Sequence, residues 1–341
     1  ANYEATGDRK RLNWVDRPCR INTYGNSFTQ CHQASDGETW QEYLAAHIGE
    51  PIRNFGIGGY GVYQAYRRML REEQTPSAAE YVILNIWDDD HYRSTSKWQW
   101  LRLQEFRKDY QKNYDKTLRQ WGAPLFHANP WAHVRVDPNS GQVVEHANPF
   151  PTRESLYKLC DKERVYREFK NDFVVQVLVA QKSGKLEYPD EATKLCKLFG
   201  VKGDINNPDQ CRQMAREVDL ACALKASMYI VDKATEFAKK MNKKLMILLS
   251  YSRENVARSC KGEPRFDQPF VDFLVKRKVK YVDTLLKHVD DFQAFRISPE
   301  EYVKRYYIGH YSAHGNHFFA YAIKDEIVNW LDPKPPAYQA D

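Results

Sequence analysis

Arg20-Ile21-Asn22-Thr23-Tyr24-Gly25-Asn26-Ser27-Phe28-Thr29 sets a short strand-forming run against a glycine, with a serine close behind. Residues 20–24 have the length and the β-branched and aromatic content of a strand buried in a parallel sheet. Gly25 permits a tight turn where the strand ends, so Ser27 falls at the strand's carboxyl end. Four further runs read in the same way, at residues 52–55, 81–86, 245–249 and 281–285.

Helical patterns lie between these runs. Thr39-Trp40-Gln41-Glu42 reads as a capping box. Trp40, Tyr43, Leu44, His47 and Ile48 then keep helical spacing until Gly49 stops the helix. Residues 62–71 and 226–240 are the next helices. Phe319, Ile323, Ile327 and Leu331 make the apolar stripe of a last one, ended by Pro333. Alternating strands and helices predict an α/β fold: a doubly wound, flavodoxin-like three-layer sandwich around a central parallel five-stranded sheet. Such sheets bind ligands at the carboxyl ends of their strands. The loops after Tyr24, Phe55, Ile86, Leu249 and Leu285 are therefore the ones to search.

Residues 1–91 and 225–341 supply that core. Residues 92–224 are read as a large, mostly helical insertion, a lid or a specificity subdomain. Within it, residues 131–136 and 142–146 flank Asp137-Pro138-Asn139-Ser140-Gly141 and predict a β-hairpin.

Composition narrows the classes. No window is long and apolar enough to span a bilayer. No charged-then-apolar leader stands at the start, so an export signal is absent or already removed. The first residue is not Met, as in a processed or trimmed chain, and a periplasmic or secreted location is favoured over a cytoplasmic one. The net charge of +6 is scattered rather than gathered in one run, the pattern of a solvated surface. Nucleic acid is not an expected partner: the basic and aromatic stretch 97–114 reads as an amphipathic helix rather than a stacking module. Seven cysteines without a CxxC spacing argue against a metal knuckle. Cys196 and Cys211 flank a Gly/Asn/Pro-rich loop, as a disulfide or as separate buried thiols. No cofactor and no metal ion is expected, and the sequence assigns no oligomeric state.

Three edge loops carry candidate chemistry. Ser27 can present a hydroxyl at the sheet's mouth and its backbone N–H to an oxyanion. Asn54-Phe55-Gly56-Ile57-Gly58-Gly59-Tyr60-Gly61 follows the second run, and its glycines let backbone N–H groups approach a ligand. Asp88, Asp89 and Asp90 follow the third run, and Asp88 and Asp90 are read as structural or capping residues. Ahead of the last helix stands His310-Tyr311-Ser312-Ala313-His314-Gly315-Asn316. A histidine there can reach the first strand's serine, giving a nucleophile and its general base. His314 and His317 are read as helix-start surface or packing residues.

In this order and placement the motifs resemble the SGNH hydrolases, also called GDSL esterases. Gly25-Asn26-Ser27 is similar to the family's first block, normally Gly-Asp-Ser, which implies Ser27 as nucleophile. Asn54-Phe55-Gly56-Ile57-Gly58-Gly59 resembles the second block and implies a backbone N–H from Gly59 in the oxyanion hole. His310 before Gly315 resembles the last block. The hairpin followed by Asn148-Pro149, with Gly58-Gly59-Tyr60-Gly61 and Asp89-Asp90, is similar to a bacterial branch with a long insertion. Two departures stand out. Asp89 occupies the place of an oxyanion-binding Asn, and an ionised carboxylate cannot donate a hydrogen bond. Tyr307 stands three residues before His310, where the family carries an acid. A backbone carbonyl, Asp283, Asp290 or Asp291 is the alternative support for the histidine.

The function expected is cleavage of an O-acyl ester by a Ser27 acyl-enzyme with His310 as base. The partner is a small-molecule or carbohydrate ester, with Tyr60, Trp87, Tyr92, Trp98 and Trp131 as sugar-stacking candidates. The alternatives are acyl transfer to a sugar hydroxyl, or a sulfate or phosphate ester clamped by Arg93, Arg253 and Arg258. A catalytically inactive glycan- or protein-binding module is the remaining alternative.

Overall fold

The computed structural model describes residues 1–103 and 129–339. The chain divides into two compact units, Ala1–Asp90 with Ile230–Asp341, and His91–Tyr229.

The first unit is built on five strands: β1 (Ile21–Tyr24), β2 (Ile52–Asn54), β3 (Tyr81–Trp87), β4 (Lys244–Ser250) and β5 (Tyr281–Asp283). They pair in parallel in the order β2-β1-β3-β4-β5, the flavodoxin-like winding. Burial on both faces explains the apolar runs: Ile21, Ile83, Leu84, Ile247 and Leu248 are all fully buried. The connections carry α1 (Ser27–Gln30), α2 (Trp40–Ile48) and α3 (Val62–Glu72), and then the end of α4 (Pro208–Lys240) leads into β4. After β4 come α5 (Arg253–Cys260) and α6 (Gln268–Arg277). After β5 come α7 (Thr284–Phe292), α8 (Pro299–Tyr306) and α9 (Ala313–Trp330).

The chain leaves β1 in one direction and crosses back over it to reach β3. Right-handed crossovers of opposite direction place α2 and α3 on opposite faces. α9 packs against α2, where the Trp40 and Phe319 rings lie 5.2 Å apart. Phe319, Ile323, Ile327 and Leu331 are all buried.

Several boundaries differ from the sequence reading, each for a local reason. The fifth strand stops at Asp283, because that carboxylate accepts from Leu285 N at 3.0 Å and caps α7. Thr284 and Leu285 are therefore helical. At α2, Thr39 caps as expected, accepting from Glu42 N at 3.1 Å. The Glu42 carboxylate is turned elsewhere and accepts from Asn13 N at 2.9 Å and Asn13 Nδ2 at 2.8 Å. α4 begins at Pro208 rather than at residue 226. Its early turns bury Cys211, Ala215, Val218 and Cys222 at helical spacing.

The second unit has a core of its own, including Val136, Phe173, Val177, Leu195 and Val218. Its hairpin pairs His133–Val136 with Val143–His146, and Asp137 Oδ1 closes the turn by accepting from Asn139 N and Ser140 N. Cys196 and Cys211 are separate buried thiols in that core. The stretch 97–114 is helical over Trp100–Leu103, and the rest of it lies outside the described residues. Among the described residues no helix is long and apolar enough to cross a membrane.

His288 on α7 is fully buried, with Tyr302 Oη at 3.1 Å from Nδ1 and Tyr307 Oη at 3.4 Å from Nε2. Burial disfavours the imidazolium and pushes its pKa down to about 3. Between that value and the ordinary histidine pKa the unfolded chain binds a proton that the folded one refuses. Stability therefore falls as pH falls through this window, by about 1.4 kcal/mol per pH unit at most. Both tyrosine hydroxyls already donate elsewhere, Tyr302 to Asp291 and Tyr307 to Tyr251 O. His288→Phe thus orphans no donor. Urea unfolding at pH 6.5 and pH 5 should show a loss about 1.6 kcal/mol larger for the native chain than for His288→Phe.

Candidate functional site

The turn after β1 is fastened before any ligand arrives. Asn26 Oδ1 accepts from Phe28 N at 2.7 Å and caps α1, so Ser27 is the helix's first residue. Asn26 Nδ2 donates to Asp90 Oδ1 at 2.7 Å, and Asp90 Oδ2 accepts from Trp87 N at 3.0 Å. The serine turn is thereby tied to the end of β3. α1 lies so close to the sheet that a Cβ on Gly25 would collide with Thr29 Oγ1 and the Asn85 carbonyl. Thr29 Oγ1 in turn accepts from Asn85 Nδ2 at 3.0 Å.

His310 arrives from the other end of the chain. It lies in the loop between α8 and α9, where Ile308 N donates to the His310 carbonyl at 2.8 Å and Ser312 caps α9. Its Nε2 is 2.7 Å from Ser27 Oγ, across 283 residues of sequence. The imidazole packs on Phe28 with ring centroids 4.8 Å apart. Phe28 stacks on Trp87 at 4.7 Å and meets Tyr311 edge-on at 5.1 Å. Ser27 and His310 are half-buried, and a second imidazole, His32, lies 5.7 Å from the His310 ring.

The other side of the imidazole faces an amide. Gln33 Oε1 accepts from His310 N at 2.7 Å and is 3.1 Å from His310 Nδ1. The bond from the backbone N–H identifies that Gln33 atom as the oxygen. An amide oxygen only accepts, so the ring proton belongs on Nδ1 and the Nε2 lone pair faces Ser27.

The loop after β2 runs past the serine. Ile57 N donates to the Gly25 carbonyl at 3.0 Å, and Gly58 N donates to Gln30 Oε1 at 3.0 Å. A Cβ on Gly58 would sit 3.8 Å from Ser27 Cβ. Gly59 follows at φ +80°, a conformation that L side chains rarely adopt. Asp89 is half-buried at the end of β3, and its N–H donates to Asp88 Oδ1 at 2.9 Å. Ser27, Gly59, Asp89 and His310 thus come from the loops at the carboxyl edge of the sheet and the loop ahead of its last helix.

Asp88 and Asp90 are absorbed in structure. Asp88 accepts from Ser252 N at 2.9 Å and Asn255 Nδ2 at 2.6 Å, joining the ends of β3 and β4. Its burial outweighs these bonds and pushes its pKa up to about 6. The carboxylates considered as supports for His310 are engaged elsewhere. Asp283 pairs with Arg265 at 2.5 Å, and Asp291 accepts from Tyr302 and Tyr306 at 2.9 and 2.8 Å. Asp290 is exposed on α7. Tyr307 is buried and donates to the Tyr251 carbonyl at 3.0 Å. Of the arginines considered as an anion clamp, Arg253 pairs with Glu254 and Arg258 with Glu263, both at 2.7 Å, and Arg93 is buried in the second unit. Trp98 and Trp131 are also engaged within the second unit: Trp98 packs on Phe169 at 4.8 Å, and Trp131 Nε1 donates to Ser96 O at 2.7 Å.

No protein-family model matches the chain, and no curated protein matches it. Among solved structures it is similar to a protein from Desulfitobacterium hafniense DCB-2 described as lipolytic and of the G-D-S-L family. The identity is 13%, the TM-score is 0.20, and the match covers 58% of this chain and 97% of that one. A likeness at that level assigns no role to any residue.

Gln33 and His32 escaped the sequence reading, as did the residue that fixes their loop. Arg9 is 1% exposed and pairs with Asp36 at 2.8 Å. It also donates to the carbonyls of Gln30, Cys31 and Ala34 at 2.6, 2.7 and 2.6 Å. Those carbonyls bracket His32 and Gln33. Arg9→Leu takes away one partner of Asp36, which keeps Asn2, and the guanidinium donors of three carbonyls at once, a loss of about 3 kcal/mol. Denaturant unfolding of Arg9→Leu should show it, and Arg9→Lys, with its single ammonium, should recover only part.

Proposed function

We propose that this chain is a serine hydrolase of the SGNH type that cleaves an O-acyl ester, with a carbohydrate ester as the favoured substrate. The observation that carries the reading is the 2.7 Å approach of His310 Nε2 to Ser27 Oγ, with the productive lone pair on Nε2. The glycine loop supports it by its closeness: a Cβ on Gly58 would lie 3.8 Å from Ser27 Cβ, which brings the backbone of Gly59 next to the serine.

In this reading His310 Nε2 takes the Ser27 hydroxyl proton as Oγ bonds to the acyl carbon. The carbonyl electrons move to oxygen and are held by the N–H groups of Ser27 and Gly59. Collapse of the tetrahedral species breaks the bond to the alcohol, and the proton on Nε2 passes to that leaving oxygen. Water then attacks the acyl-enzyme, giving its proton to the same nitrogen, and Ser27 leaves with that proton restored. Asp89 stands where an amide donor is usual in the family it resembles. An ionised carboxylate accepts only, so the oxyanion rests on the two backbone donors. Tyr60, half-buried on the loop after β2, is the aromatic residue that supports the carbohydrate preference, whereas Trp87 ends β3 and is stacked on Phe28. The pairing of Arg253 and Arg258 with neighbouring glutamates favours an acyl ester over a sulfate or phosphate ester.

The test is the intact mass after incubation with a serine-reactive fluorophosphonate. The native chain should gain one adduct, Ser27→Ala none, and His310→Ala should label at least about a hundredfold more slowly. Equal labelling of the native chain and Ser27→Ala would reject Ser27 as the nucleophile.

A further inference from the structure

We propose that Gln33 is the positioning residue of this site, its neutral amide oxygen holding the proton on His310 Nδ1 where an acid would ordinarily do so. The inference rests on the reading of Ser27 and His310 as nucleophile and base. Three features carry it. One oxygen, Gln33 Oε1, faces both His310 N at 2.7 Å and Nδ1 at 3.1 Å, which fixes backbone and ring together. The backbone before the histidine is shaped for that oxygen: Gly309 has φ +115°, and a Cβ there would lie 2.9 Å from Gln33 Oε1. The Gln33 loop is pegged from below by Arg9 through its carbonyls on either side.

The chemical consequence is specific. A carboxylate at Nδ1 would hold the correct tautomer and also neutralise the imidazolium formed when Ser27 gives up its proton. An amide holds the tautomer and supplies only a dipole. His310 therefore gains less help in taking up its proton, and the acid limb of Ser27 reactivity lies lower than it would beside a carboxylate. Facing the ring besides Gln33 are Ser27, Phe28 and the other imidazole, His32, and Tyr311 meets Phe28 edge-on. Burial raises the Tyr311 phenol further from its ordinary value, so it stays protonated.

The experiment follows the rate of fluorophosphonate labelling at Ser27 against pH, with thermal melting as the check on folding. Gln33→Met keeps the chain length and removes the acceptor. It should label at least about tenfold more slowly at every pH. Gln33→Glu should restore labelling and move the acid limb up by on the order of one pH unit, because a carboxylate favours the imidazolium. The shift should persist when His32→Gln is added to both chains. Native labelling by Gln33→Met overturns the proposal. So does an unmoved limb in Gln33→Glu, or a shift that vanishes with His32→Gln, and all three leave the Ser27–His310 pair standing. If the native chain does not label at Ser27, the pair itself fails and the proposal fails with it.

Discussion

One hydrogen bond spans nearly the whole chain: His310 Nε2 to Ser27 Oγ, 2.7 Å across 283 residues. Neither residue is held by its sequence neighbours alone. Ser27 is placed by the end of β1, beside the central strand β3, and His310 by the loop that launches α9. They meet because the parallel winding returns every strand to the same edge. A polar pair this far apart in sequence depends on the core beneath it. The Trp40–Phe319 contact between α2 and α9 therefore belongs to the site as well as to the fold.

The small parts of the site are held in place by groups outside the Ser27–His310 pair. Asn26 and Asp90 fix the serine turn. Phe28, stacked on Trp87, packs against the imidazole at a 45° tilt. Arg9 replaces water for three carbonyls in the loop that carries His32 and Gln33. A turn at a sheet edge would otherwise be free to move, and these bonds keep Ser27 Oγ at 2.7 Å from His310 Nε2. Burying an arginine is costly unless its donors are satisfied, and here four acceptors meet it.

The sheet was legible because strands buried on both faces leave runs that few other elements produce. Their ends were less so. Leu285 continues an apolar run, yet Asp283 caps a helix two residues earlier and takes it out of the strand. The start of α4 was missed because charged residues dilute the stripe of Cys211, Ala215, Val218 and Cys222. In the site, Ser27 and His310 stood out by position, one after the first strand and one before the last helix. Gln33 did not. It lies on an aperiodic loop, it carries no charge, and its partner is 277 residues away. The acid positions weighed instead failed for plain reasons: Tyr307 turns into the core, and Asp283 and Asp291 are engaged by Arg265 and by tyrosine hydroxyls.

A serine nucleophile must carry the acyl group between the two halves of the reaction, so trapping an acylated Ser27 is the decisive measurement. The protein would be mixed with p-nitrophenyl acetate, quenched in acid within the first turnover, digested and mapped by mass. One acetyl group per chain is expected, on the peptide carrying Ser27, and none there in His310→Ala at the same quench time. An acetyl group on another residue, or turnover with no acylated Ser27 peptide at any quench time, would contradict it.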